Sequence, residues 1–141
     1  MDYIKATEIS AAAMTAQKAR IEAATMNLAN LHTSTAPGTA GYRPVTAVIQ
    51  SAPNSFAHRF HNGKPVAPKA ELTAQPGAQT RVVYEPGHPH ANAQGMVSYP
   101  AIDPTQEMMT VMTALRAYEA NFTALQVTKA LAAKALEIGG Q

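Results

Sequence analysis

Apolar positions alternate three and four residues apart along the last third of the chain. Met108, Val111, Leu115, Tyr118, Phe122, Leu125, Ala132 and Leu136 fall on one such row, interrupted only by Lys129. An alternation that holds a seven-residue repeat places one stripe along a helix and favours coiled-coil packing. The ends of this helix are marked as well. Asp103 is a good N-cap, Pro104 suits the first helical position and Gln106 completes a capping-box pattern, while Gly139-Gly140 ends the run. The predicted helix covers about 35 residues, or roughly 50 Å at 1.5 Å per residue.

The other end of the chain carries a weaker version of the same signal. From about Asp2 to Leu31 there is no Pro or Gly and much Ala, a composition with good helix propensity. Met14, Ile21 and Leu28 recur at seven-residue spacing, with Ala24 and Leu31 beside them, although Gln17 and Lys18 interrupt the N-terminal half. All ten prolines fall from Pro37 to Pro104, and six of the eight glycines from Gly38 to Gly95, which confines long helices to the termini. Within this middle, the stretches Tyr42 to Ser51, Arg81 to Tyr84 and Met96 to Tyr99 read as short strands, and Ala52 to Gln79 as irregular. The chain therefore divides into residues 1–35, 36–102 and 103–141. The fold expected is mainly α, two long terminal helices in a coiled-coil-like hairpin with a Pro/Gly-rich middle of loops and short β-strands.

A helix of that length needs a partner of similar length along its seam, and the N-terminal segment is the only candidate in the chain. The pair is expected to run antiparallel or nearly so. Both helices also carry small faces, Ala11, Ala12, Ala13, Ala16, Ala19, Ala23 and Ala24 on one and Ala130, Ala132, Ala133 and Ala135 on the other, which allow close approach of further helices. Two readings of the seam stay open together: intramolecular core, and packing between subunits through Met14, Ile21, Leu28, Leu31, Met108, Val111, Leu115, Tyr118, Phe122, Leu125 and Leu136. Composition tilts toward assembly. Only 14% of residues are charged, below the roughly 25% usual for soluble domains.

Composition also narrows the chemistry. The net charge is +2, scattered and without aromatic interleaving, which gives nucleic-acid binding no support. There is no cysteine, no secretory signal pattern at Met1 to Lys5, and no run of about 20 apolar residues to span a membrane. His58 and His61, and His88 and His90, are the metal-binding candidates, but neither pair brings the three or four convergent ligands that zinc wants. No nucleophile elbow, phosphate loop or dinucleotide fingerprint occurs. The expectation is therefore a protein with no cofactor, no metal and no catalytic residues. Asn27 and Asn30, in Asn27-Leu28-Ala29-Asn30, read equally as a helix-ending cap or as a polar pin that fixes register between packed helices.

At these residues the sequence resembles the flagellar rod, hook and hook-associated axial protein family. The N-terminal signature runs from Ala16 to Asn30 and ends in that Asn-Leu-Ala-Asn; the C-terminal one is Arg116-Ala117-Tyr118-Glu119-Ala120-Asn121. Val83 to Pro100, with Tyr84, Pro86, Gly87, His88 and Pro89, is similar to a segment of the family's proximal-rod members, less acidic at His90, Asn92 and Gln94. The resemblance implies a rod subunit that reaches the periplasmic basal body through the flagellar type III export apparatus without a cleaved signal peptide. Its partners would be copies of itself, other rod proteins and the basal-body base, joined in a helical tube that transmits torque. From another class, the rival reading is a self-contained helical-hairpin binding protein or export adaptor whose Pro-rich insertion recognises a partner.

Overall fold

The computed structural model describes residues 3–50 and 69–139. Helix α1 spans Tyr3–Ala29 and helix α2 spans Pro104–Gly139, 27 and 36 residues long. Asn27, near the end of α1, bonds to Glu107 in the first turn of α2, so the helices run antiparallel. Both inner ends are capped. Asp103 Oδ1 accepts the Thr105 amide at 2.9 Å, which satisfies one of the free donors that every helix start leaves. At the end of α1 the Asn30 amide group donates to Met26 O at 2.9 Å and its Oδ1 accepts from Thr33 Oγ1 at 3.2 Å.

The middle folds as two antiparallel ribbons. Strand β1 (Val45–Gln50) pairs with β2 (Lys69–Ala74), Val45 opposite Ala74. Strand β3 (Thr80–Tyr84) pairs with β4 (Met96–Pro100), Thr80 opposite Pro100, and Thr35 bridges to Ser98 on the other edge of β4. Strand β4 is thus flanked on both sides, and its Val97 is fully buried. Three of these strands lie where the β-branched runs predict them. The fourth is a correction. Residues 52–79 read as irregular from their Pro and polar content, yet Lys69–Ala74 forms β2 by completing the ladder of β1; residues 51–68 lie outside the described set.

In the single subunit the predicted row of α2 divides between an inner and an outer face. Of the predicted row, Met108 (57% exposed), Leu115 (47%), Phe122 (46%) and Leu136 (78%) face away from α1, and Tyr118 is about one-third exposed. The face against α1 is instead Glu107, Val111, Ala114, Asn121, Leu125, Thr128 and Ala132, with Ala114 fully buried. Val111, Leu125 and Ala132 are common to both rows. Where Met108, Leu115, Phe122 and Lys129 were expected, their N-terminal neighbours stand, a turn of the stripe by roughly 50° at 100° per residue. The cause lies in α1, whose buried contacts are Ala16, Ala23 and Ala24. Two Ala-lined faces come close, and the gap that results admits Ala114 but not a Leu or Phe. Met14, Ile21 and Leu28 are half-buried along the flanks of α1, and so is Leu31 in the turn after it.

The 85–95 connection between β3 and β4 is ordered by its own bonds. Asn92 Oδ1 accepts the amides of Gln94 and Met96 at 3.0 and 2.9 Å, and Glu85 donates its amide to Gly95 O at 2.8 Å. Gly95 has φ +70°, and a Cβ there would sit 2.9 Å from Tyr84 Cε2 and 3.2 Å from Pro86 Cα. We expect Gly95→Ala to destabilise the β3–β4 ribbon by about 1–3 kcal/mol. Faster hydrogen exchange of the Val97 and Ser98 amides would report it.

Candidate assembly interface

The site has two parts: a polar junction that fixes the hairpin, and the apolar face that the junction turns outward. Asn27 is 2% exposed and uses its whole carboxamide. Its Nδ2 donates to Val45 O at 2.9 Å and to Glu107 Oε1 at 3.0 Å; its Oδ1 accepts from Val45 N at 2.8 Å and from the Tyr42 hydroxyl at 2.9 Å. Two donors and two acceptors are the full capacity of an amide side chain. Toward Val45 the carboxamide behaves like a peptide group of a neighbouring strand, taking both backbone groups of one residue. One side chain therefore ties α1, the approach to β1 and α2 to a single point.

The two readings open for the Asn-Leu-Ala-Asn segment separate by position. Asn30 caps α1, while Asn27 makes none of its bonds to its own helix end. Of its partners, Glu107 and Tyr42 carry no signal in the linear pattern. Glu107 looks like an ordinary acidic residue in a first helical turn, where the helix dipole favours it. Beside this junction lies a cleft of about 450 Å³, floored by Ala23 and Ala24 and walled by Val45 to Ala47, Glu107 and Thr110.

Helix α2 presents Met108, Met112, Leu115 and Phe122 to solvent as a row at helical spacing, with Met109 alongside. Exposed apolar residues grouped on one face mark an interaction surface more often than residues scattered singly do. Counting in opposite directions from the Asn27–Glu107 pair brings Tyr3 level with Leu131, so the last turns of α2 project beyond α1. Leu136 and Ile138 on that projection are 78% and 80% exposed. Ile4 and Ile9 on α1 are exposed too.

The remaining motif residues fall in two places. Tyr118, Glu119, Ala120 and Asn121 lie on one stretch of α2; only Asn121 turns inward, and it donates to Ala117 O at 2.7 Å. Tyr84, Pro86, Gly87, His88 and Pro89 belong to the end of β3 and the loop after it, remote in sequence from the helices but joined to the exit of α1 through Ser34 and His88. Among the described residues no three His, Asp or Glu side chains gather around a common point, and His58 and His61 lie outside that set.

Residues 93–138 match the family described as the flagellar basal body rod FlgEFG protein C-terminal. The flagellar basal-body rod protein FlgC of Bacillus subtilis (strain 168) is 35% identical to the chain, over 99% of both. The protein of the same name from Escherichia coli O6:H1 is 36% identical over 99% of each chain, and that of Salmonella typhimurium (strain LT2) 35% over the same shares.

The junction leads to two expectations. Asn27→Ala removes the side-chain bonds to Val45, Tyr42 and Glu107 and should cost about 2–3 kcal/mol in urea unfolding followed by circular dichroism. Asn27→Asp loses both donors and sets a carboxylate against Glu107, so its stability should partly recover as the pH falls. Burial, helped by the Glu107 carboxylate, raises the Tyr42 phenol above its usual 10.0. The folded protein thus holds that proton more tightly than the unfolded chain. Stabilisation from this source is complete below pH 10 and fades as the pH rises through the folded value. Unfolding between pH 8 and 11 should show this alkaline loss in the native chain and a smaller one in Tyr42→Phe, where Tyr99, raised by its bond to Glu85, still contributes.

Proposed function

The chain belongs to the flagellar basal-body rod protein family, FlgC type, and from that premise we propose that its terminal helices build a helical tube in which neighbouring subunits cover the apolar face of α2. It is a structural subunit of the bacterial flagellar basal body, a part of the rod and of the motility machinery. Its partners are other rod and basal-body proteins, and its role calls for no catalytic step.

One observation carries the assembly reading. The larger apolar residues of α2, Met108, Met112, Leu115 and Phe122, are turned to solvent, while small and polar ones, Ala114, Asn121 and Thr128, face α1. A hairpin complete in itself, as an export adaptor would be, calls for the reverse. Covering a row of large side chains with a neighbour's helix recovers the burial that the single subunit forgoes. Residues 1–35 and 103–141 then form the axial core, with copies of this chain and other rod subunits on either side, and the base of the basal body below. Residues 36–102 lie outward of that core. Torque would pass along α2, a helix of roughly 54 Å held against α1 at its N-terminal end. In this reading the subunit travels through the flagellar type III export apparatus to the periplasm without a cleaved signal peptide. No helix among the described residues is long and apolar enough to cross a membrane.

Because Leu115 is half exposed in the single subunit, Leu115→Asp separates assembly from folding. The purified variant should keep its helical signal and change in stability by less than about 0.5 kcal/mol. Cells carrying it should be non-motile and show basal bodies without a completed rod by electron microscopy. Normal swimming with intact basal bodies would overturn the assignment of this face.

A further inference from the structure

Helix α2 carries a second exposed apolar row, and it lies away from the first. Beyond Phe122 the large apolar residues turned to solvent are Val127, Leu131 and Ile138. With the exposed Ala124, Leu131 and Ile138 recur every seven residues, as Met108, Leu115 and Phe122 do in the first half of the helix. At roughly 100° per residue the two rows are about 160° apart around the axis. They flank the face that meets α1, one on either side, so a helix laid along one row leaves the other open.

The rows fit each other. The second repeats the spacing of the first sixteen positions later, Met108 with Ala124, Leu115 with Leu131 and Phe122 with Ile138. Two α2 helices running the same way with this slip, about 24 Å at 1.5 Å per residue, bring those three pairs face to face. Along one edge of the contact Met112 then lies beside Val127, and Glu119 beside Lys134. A slip shorter by one heptad sets Lys129 against Ile138, and one longer by a heptad sets Lys134 beside Met112. Of the three, the sixteen-residue slip is the one that opposes a carboxylate to an ammonium, the kind of flanking pair that selects register between helices. Lys134 already bonds Glu137 of its own helix at 2.8 Å, and an ammonium has two further hydrogens for a second carboxylate.

Resting on the assembly reading above, we infer that copies of this chain meet through unlike surfaces of α2. Leu115 and Phe122 of one copy pack on Leu131 and Ile138 of a second copy that runs the same way, displaced by about 24 Å along the helix, with Glu119 beside its Lys134. The two surfaces are different parts of one helix, so the contact does not close on a pair; each copy offers its open row to the next. A contact that carries an axial displacement cannot form a flat ring and generates a helix instead. The overhang of α2 makes the second row reachable, because Leu131 is level with the start of α1 and Ile138 lies beyond it.

The chain has no cysteine, so introduced ones cross-link without background. Basal bodies isolated from cells carrying Leu115→Cys together with Leu131→Cys should, after mild oxidation, give dimers and higher multiples of this chain, and Phe122→Cys with Ile138→Cys should do the same. Leu115→Cys alone, or combined with Ala124→Cys, should stay monomeric. No link from the two matched pairs, a dimer from Leu115→Cys alone, multiples from the Leu115 and Ala124 pair, or a link only to a different rod protein would each overturn the inference. Where cysteine variants build no basal bodies, the charge pair decides. Glu119→Lys should lose motility and Glu119→Lys with Lys134→Glu should recover it; equal motility of the two would overturn the register. Leu115→Asp keeps the two claims apart. Basal bodies lost in that variant, with no link from the matched pairs, refute the register alone, whereas intact ones remove the assembly reading beneath it.

Discussion

The carboxamide of Asn27 is the point from which the rest of the structure takes its bearings. A buried amide side chain is costly unless all of its hydrogen-bonding capacity is met, and here each partner comes from a different part of the fold. Slipping α1 by one residue along α2 would break the bond to Glu107; shifting β1 would strand the backbone of Val45. Apolar contacts between Ala-lined helices tolerate sliding, because one small side chain resembles the next. A four-bond polar junction does not tolerate it. It supplies the register that the Ala16, Ala23 and Ala24 contacts leave undefined.

Register in turn decides which face of α2 looks outward. With Glu107 held against Asn27, Ala114, Asn121 and Thr128 follow at seven-residue intervals on the inner side, and Met108, Leu115 and Phe122 are carried one position round. Close packing on small residues and an exposed row of large ones are two results of one choice. Among the described residues the hairpin fully buries only Ala16, Ala23, Ala24 and Asn27 on α1 and Ala114 on α2, a thin core for helices of this length. In the proposed assembly this arrangement would keep the larger apolar side chains for neighbouring subunits.

Much of this was legible in the linear order of residues, and the limits have physical causes. Local signals read well: the Asp103-Pro104 start of α2, its extent to Gly139, and the β-branched runs of β1, β3 and β4 all depend on neighbours close in sequence. Strand β2 was missed because its residues, Lys-Ala-Glu-Leu-Thr-Ala, have weak strand preference and are recruited by the free backbone of β1. The covered face of α2 lies about half a residue's turn from its most apolar stripe. Periodicity finds the most apolar stripe and assumes that it faces inward, whereas the partner's small side chains chose the narrower stripe. Asn27 could be singled out, but not its link to Glu107, 80 residues away along the chain.

The projection of α2 past α1 gives the subunit unlike ends. At the Asn27 end the hairpin is closed, with helix, strand and loop all spoken for. At the other end, residues 133–139 extend about two turns with no companion helix among the described residues. A piece that short does not hold a helix by itself in water, so its order is lent by the continuous helix behind it. A molecule finished at one end and unfinished at the other has a direction. In the tube proposed above, copies stacked head to tail would carry the asymmetry of a single helix overhang into the polarity of the whole shaft.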